Sequence, residues 1–481
     1  MDIRSAAIDF GLITPEIVLL AVAMAVLLLG TVIKSRGLMA FLSFGGLIGG
    51  LILAMQQWGH PESGFYGMVL VDNFAIFFSI IFTATGIITI MMSRDYLVAR
   101  NIERYEFYPL ILFSVIGMML MASSTDLLVI FLGLEIMSVP LYVMAGLARR
   151  DPFSNESGIK YFVIGAFASG FLIYGIALIY GAAGTTDLRR ILADFSFLKT
   201  QSELLLYSGA LLVLFSFAFK VAAVPFHMWV PDVYEGAPTP VTAFFSVGPK
   251  AAGFAALLRI FIYGFSGFEE MTIIFWLLAV LTMTVGNILA IFQNNVKRML
   301  AYSSIAHAGY ILVAVTAGGV GAVSSAVYYL LAYMFFNLGG FAIITIIDSR
   351  INSASQVEEM KGLSARHPFL ASLLALFMFA LAGFPPTAGF MGKFYIFSEA
   401  ISSGFIWLVI IAVLNSMISV FYYLRVVVAA FFGKPDREFN PVSYSPALIV
   451  VLMVTALGTL VLGCFPGYWL SLSQLSMFPI I

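Results

Sequence analysis

Continuous apolar stretches recur along almost the whole chain, near residues 17–33, 38–57, 73–92, 108–122, 127–147, 158–181, 204–224, 240–263, 272–292, 300–317, 321–347, 368–402, 406–432 and 445–465. They do not alternate apolar with polar residues, as the strands of a membrane barrel would. Most reach the roughly 17 to 25 residues that a helix needs to cross a bilayer, and the shorter ones gain length from flanking residues. Where no water reaches the backbone, such a run must satisfy its own N–H and C=O groups as a helix. The pattern predicts an all-α integral membrane protein of about fourteen transmembrane helices. The first run is closed by Lys34 and Arg36, whereas a signal peptide carries its positive charges before the apolar run and a small-residue cleavage site after it, so it reads as a retained span.

A few polar residues interrupt the pattern in mid-run, and they carry the functional question. The stretch from Ser216 to Lys250 sets Lys220 in a run of Phe, Ala and Val, breaks at Pro225 and Pro231, and resumes an apolar helix that holds Lys250. A lysine at the centre of a spanning helix costs about 2.5 to 3.5 kcal/mol on insertion scales, so each needs a compensating reason. Glu135 lies well inside VIFLGLEIMSVPLY and His307 inside SSIAHAGYIL, while Lys393 follows a second break, GFPPT, at residues 383–387.

The spacing of these groups suggests an internal repeat. Glu135 and His307 are separated by 172 residues, Lys220 and Lys393 by 173, and Lys250 and Arg425 by 175. Near-equal offsets predict two related bundles of about five helices with charged groups on corresponding helices. The chain then divides into N-terminal helices (1–107), a first bundle with Glu135, Lys220 and Lys250 (108–265), a second with His307 and Lys393 (266–435), and a C-terminal helix (436–481). Paired Gly/Pro-interrupted helices in corresponding halves point to an ion pathway near the membrane midplane.

Composition agrees with the membrane class and narrows the chemistry. Hydrophobic residues make up 61% of the 481 and charged residues 10%, and the net charge is −1. Nothing in that balance suggests nucleic-acid binding. One cysteine, Cys464, and four histidines cannot supply an iron-sulfur cluster and leave little for haem or zinc, so no cofactor is expected in this chain and any electron chemistry falls to other subunits. Positive charge sets orientation. Lys34 and Arg36, Arg94 to Arg104, Arg149 and Arg150, Lys297 and Arg298, Lys361 and Arg366, and Lys434 and Arg437 fall in alternate loops, which are expected to be cytoplasmic. Both termini are then expected on the other side. Arg189, Arg190 and Lys199 disagree, and their TDLRRILADF setting suggests a short amphipathic helix along the surface.

Each singled-out residue has a plainer reading. Lys220 and Lys250 could be structural ion pairs or edge charges, and Glu135 could form a fixed pair that locks two helices. The mechanistic alternative is a carboxylate and an ammonium that tune each other, so that the lysine loads and releases a proton as the pair forms and breaks. His307 could be a core histidine bonded to Ser303 or to a backbone carbonyl, or a relay, since imidazole passes protons through either nitrogen. His227 reads as holding the loop at the first break, and Lys297 and Arg298 as membrane-edge charges.

FKVAAVPFHMWVPDVYEGAPTPVTAF, preceded by LEIMSVP and followed by VKRMLAYSSIAHAGY and GFPPTAGFMGKF, resembles the antiporter-like membrane subunits of respiratory complex I over essentially the whole chain. The resemblance implies fourteen helices with two inverted five-helix repeats and two broken helices. It implies that Glu135, Lys220, Lys250, His307 and Lys393 form a hydrated polar axis for proton transfer; Arg425 is not included. It further implies a multi-pass protein of the bacterial cell (inner) membrane, surrounded by lipid. Its partners would be other membrane and peripheral subunits, neighbouring antiporter-like subunits among them, with NADH, FMN, iron-sulfur clusters and quinone held in those partners. The alternatives are a stand-alone Mrp-type cation/proton antiporter subunit, an antiporter-like subunit of a related hydrogenase or oxidoreductase complex, and a membrane scaffold whose charges only lock helices.

Overall fold

The computed structural model describes residues 8–33, 35–265, 268, 270–350, 356–433 and 445–476; Lys34, Lys434 and Arg437 of the loop-charge pattern lie outside them. The chain opens with α1 (Thr14–Val32) and α2 (Arg36–Gln56), a hairpin of β1 (Glu62–Gly64) and β2 (Val69–Val71), then α3 (Asn73–Ala99), α4 (Phe107–Ser123), α5 (Leu127–Ala145), α6 (Pro152–Ala183) and α7 (Leu188–Ala193). Next come α8 (Phe195–Val221), α9 (Trp229–Gly236), α10 (Thr239–Leu257), α11 (Met271–Ile291), α12 (Val296–Ala317) and α13 (Gly319–Arg350). The last are α14 (Leu363–Arg366), α15 (Pro368–Ala382), α16 (Ala388–Ser402), α17 (Ile406–Phe432), α18 (Pro446–Cys464) and α19 (Pro466–Leu475).

The protein is an all-α membrane protein. Among the described residues twelve helical segments are long and apolar enough to cross a membrane, and α4 and α15 are shorter apolar helices. The expected count of about fourteen is therefore met only if these two shorter helices are counted as well. α4 has 17 residues, and the run near 368–402 is divided into α15 and α16 of 15 residues each. Helix starts follow from local chemistry. Asp72, Asp126, Asp151, Asp187 and Asn295 each accept a hydrogen bond from a first-turn N–H, satisfying donors that a helix cannot pair internally.

The central helices are enclosed by the others: α10 is buried at every position, and α12 and α13 are nearly so. Small residues let the helices that carry charge approach closely. A Cβ added to Gly286 of α11 would lie 2.7 Å from the backbone N of Ala306 in α12, next to His307. One end of the bundle gathers the hairpin and the loop before α7, where Arg189 Nη2 donates to Gly67 O at 2.9 Å and pairs with Asp187 at 2.9 Å. Hydrogen bonding to Asp187 pushes the Arg189 guanidinium above its ordinary range, so this anomalous loop charge is neutralised locally. Arg100, Arg104, Arg149, Arg150 and Lys297, from separate parts of the chain, line one common cavity.

Candidate functional site

The first break follows α8. Its C-cap, Ala222, turns into the left-handed region at φ 64°, and the chain runs irregularly to α9. Trp229 Nε1 donates to the Phe219 carbonyl at 3.1 Å, and Thr282 Oγ1 accepts from Val224 N at 2.9 Å. These two side chains hold the break together with His227, whose backbone carbonyl accepts from Val230 N at 3.0 Å and whose imidazole hydrogen-bonds the Pro225 backbone, as the reading of a loop-holding histidine expects. Lys220, 3% exposed, sits one residue before the helix end and donates to Ser138 Oγ at 2.7 Å and Tyr142 OH at 3.3 Å. Its ammonium also lies 5.4 Å from the centre of the Tyr142 ring.

Glu135 occupies α5 one turn before Ser138. It is half-buried and accepts from Ser169 Oγ of α6. No contact ion pair joins it to Lys220; the direct partner of that lysine on α5 is Ser138, one turn along the same helix.

Lys250 lies in α10, directly after Pro249, and is 2% exposed. Its Nζ donates to Ser304 O at 2.6 Å and to Ser304 Oγ. A Cβ added at Gly253, three residues along α10, would lie 3.5 Å from the Lys220 Cβ, so the two lysines come from helices in direct contact. Ser304 stands one turn before His307 on α12. His307 Nδ1 is 2.5 Å from Tyr329 OH, and its Nε2 is 3.1 Å from Tyr423 OH, which also bonds Ser303 Oγ. The sequence reading of a direct His307 to Ser303 bond is thus replaced by one routed through Tyr423.

One turn further on α12, the Tyr310 ring lies 4.7 Å beneath the Lys393 ammonium. Lys393 belongs to α16 and reaches back across the second break. Its Nζ donates to Ala382 O at 2.9 Å, Leu381 O at 3.4 Å and Ser416 Oγ at 2.9 Å. Those carbonyls end α15, where Gly383 at φ 89° leaves them without helical partners and the helix dipole favours a cation. A cavity of about 460 Å³ lined by Phe384, Phe390, Phe394 and Met417 adjoins this ammonium.

Three of the five expected residues, Lys250, His307 and Lys393, thus meet along one face of α12 through Ser304, His307 and Tyr310. Glu135 and Lys220 form a second group around Ser138 and Tyr142. Sequence reasoning missed Ser138, Tyr142, Ser304, Tyr310, Tyr329 and Tyr423. The available signal was their spacing of three or seven residues from Glu135 or His307, or the tandem tyrosines 328–329 and 422–423 within apolar runs. Arg425 takes no part: it donates to Ile291 O at 3.2 Å and to Gln293 O, at and just past the C-terminus of α11. Lys297, read as an edge charge, is 6% exposed and donates to Glu235 O at 2.9 Å and Ala237 O at 2.7 Å, fixing the turn between α9 and α10. No group of three or more His, Cys, Asp or Glu able to hold a metal occurs among the described residues.

This arrangement, two broken helices with buried lysines around a histidine helix, has relatives. The family described as NADH:quinone oxidoreductase/Mrp antiporter, transmembrane, matches residues 124–419. The chain belongs to this family. A relative from Trichlorobacter lovleyi, NADH-quinone oxidoreductase subunit N, is 48% identical over 98% of this chain and 99% of its own. A chain of respiratory complex I from Thermus thermophilus with bound aureothin superposes with a TM-score of 0.83 at 33% identity, covering 96% of this chain and all of that one. A chain of the Mrp complex from a Dietzia species superposes at 0.84 over 99% of this chain and 97% of its own; at 21% identity it shows a shared fold. Of these three, the two above 30% identity come from NADH-quinone oxidoreductase and respiratory complex I.

Proposed function

We propose that this chain is a proton-translocating membrane subunit of an NADH:quinone oxidoreductase complex. Electron transfer from NADH to quinone, with its FMN and iron-sulfur centres, takes place in other subunits. Protons pass along Glu135, Lys220, Lys250, His307 and Lys393. The observation that carries this reading is the face of α12, on which Ser304, His307 and Tyr310 link two buried ammonium groups from different helices. Buried ionisable groups in spanning helices that meet one another mark proton relays. Moving one charge across 100 mV costs about 2.3 kcal/mol. Exchanging one hydrogen bond to a charged group is worth about 1.5 to 3 kcal/mol, so rearrangements at these lysines are of the required size.

The two breaks are corresponding parts of two inverted five-helix repeats, with Lys220 and Lys393 in equivalent places. The face bearing Arg100, Arg149 and Lys297 is cytoplasmic, and both termini lie opposite. Glu135 borders the exposed apolar residues Leu132, Ile136 and Val139 of α5, a rim suited to a neighbouring membrane subunit. The test is purification of the tagged chain from its native membrane. It should bring flavin- and iron-sulfur-containing partners with it and, in vesicles, support NADH-driven proton uptake. Isolation without redox partners, together with sodium- or potassium-dependent proton exchange, would favour the stand-alone antiporter instead. In intact cells, a cysteine placed near Arg100 should be protected from an impermeant reagent while one near His60 reacts; the reverse pattern would invert the orientation.

A further inference from the structure

The residues of the proposed axis leave open where protons enter from the face that carries the loop arginines. On the face that carries the loop arginines, a cavity of about 780 Å³ opens among Arg100, Arg104, Arg149 and Arg150, with Lys297 and Asp348 in its wall. Asp348, near the end of α13 and 6% exposed, is an acidic group beneath a basic mouth. It accepts from Tyr96 OH at 2.9 Å, from Arg100 Nη2 at 2.5 Å and from Thr239 Oγ1. Thr239 starts α10, so the carboxylate at the cavity is bonded directly to the helix that carries Lys250.

From that contact two polar stripes run inward. Seven and eleven residues separate Thr239 from Ser246 and Lys250, spacings that keep all three on one face of α10 and set the lysine about 16 Å along the helix. On α13, Asn337 stands eleven residues before Asp348, also on the same face, and its Nδ2 donates to Ser246 Oγ at 2.6 Å. α10 and α13 are therefore antiparallel and joined by polar contacts at two levels, the inner one a single turn before Lys250. α3 adds a third stripe behind Tyr96: Ser93, Thr89 and Thr85, all fully buried. Each of these donates to the carbonyl four residues earlier, which leaves its oxygen able to accept a further bond.

We propose that Asp348 loads protons from this cavity and passes them along the facing stripes of α10 and α13 to Lys250. The inference rests on the polar-axis reading. The carboxylate takes one proton from water in the cavity and becomes a carboxylic acid, which dissolves its ion pair with Arg100. The acid O–H then gives that proton to the hydroxyl and water path beginning at Thr239. A neutral Lys250 amine receives a proton at the inner end, Asp348 is again a carboxylate, and one proton has moved. Asn337 positions Ser246 and carries no proton.

The test uses the assembled complex in vesicles with NADH-driven proton uptake as the readout. Asp348→Asn keeps the shape and an acceptor for Thr239 but cannot load a proton, so uptake should fall by about tenfold or more with assembly intact. Asp348→Glu should restore part of it, which a purely structural tie would not require. Should Asp348→Asn fail to assemble, Ala148→Cys in the cavity wall, in a Cys464→Ser background, is labelled with a bulky neutral maleimide. Uptake should then fall on labelling relative to the unlabelled variant. Parental uptake by assembled Asp348→Asn, or no change on labelling, would overturn the entry route. Lys250→Ala separates the two claims: if it loses uptake while Asp348→Asn does not, the entry route alone fails, and if it too pumps like the parent, the axis reading fails with it.

Discussion

At the first break, between α8 and α9, the Phe219 carbonyl is taken by Trp229 Nε1, and Lys220 is left to donate to the hydroxyls of Ser138 and Tyr142. At the second, between α15 and α16, Lys393 itself takes the carbonyls of Leu381 and Ala382. Both breaks leave helix-terminal acceptors that the membrane interior cannot hydrate. In one the Ala222 N–H and a neutral indole share the Phe219 carbonyl and the lysine faces groups that rotate; in the other the lysine is part of the backbone solution. On the proposed proton path Lys220 would then be the more readily switched ammonium, while Lys393 is the more anchored one, held by backbone carbonyls at a helix C-terminus. A proton leaving Lys393 must leave two buried carbonyls with a weaker partner, whereas one leaving Lys220 disturbs only side chains.

Several substitutions break or sharpen this contrast. The largest effect is expected at the centre that both breaks serve. Lys250→Ala should reduce NADH-driven proton uptake by about 10²-fold, the scale of a lost proton-transfer group, with the complex still assembled. Next is Lys393→Met, which keeps the stem and drops the ammonium. Besides stopping transfer, it should destabilise the subunit by about 1 to 3 kcal/mol, because buried acceptors lose a donor, and thermal denaturation of the purified complex would register it. Glu135→Gln preserves the bond from Ser169 and removes only the through-space charge, so pumping should fall about fivefold, roughly 1 kcal/mol in a barrier. The smallest effect on stability belongs to Lys220→Met, unchanged to within about 1 kcal/mol because a buried charge is exchanged for an apolar group and Trp229 still holds the break. Equal destabilisation by the two methionine variants would erase the contrast.

Much of this was legible in the chain itself. The apolar runs mark helices because membrane burial demands continuous hydrophobic length, and the prolines near 225 and 385 mark the breaks because they remove backbone donors. What could not be read was the register between helices. Nothing in the sequence says that Tyr423 of α17 reaches His307 of α12, or that Ser138 rather than Glu135 contacts Lys220, since the two lie one turn apart on neighbouring parts of the same face of α5. Lys297 looked like an edge charge for the same reason: it lies near a helix end, and only packing buries it.

The central claim is that these lysines carry protons rather than lock helices. Lys393→Arg tests it most directly, because arginine keeps the positive charge and the donors for the α15 carbonyls but does not deprotonate in proteins. The adjoining cavity gives the larger head room. Proton uptake would be measured in vesicles containing the assembled complex. The account predicts normal assembly with uptake lost; near-parental uptake by the arginine variant would contradict it.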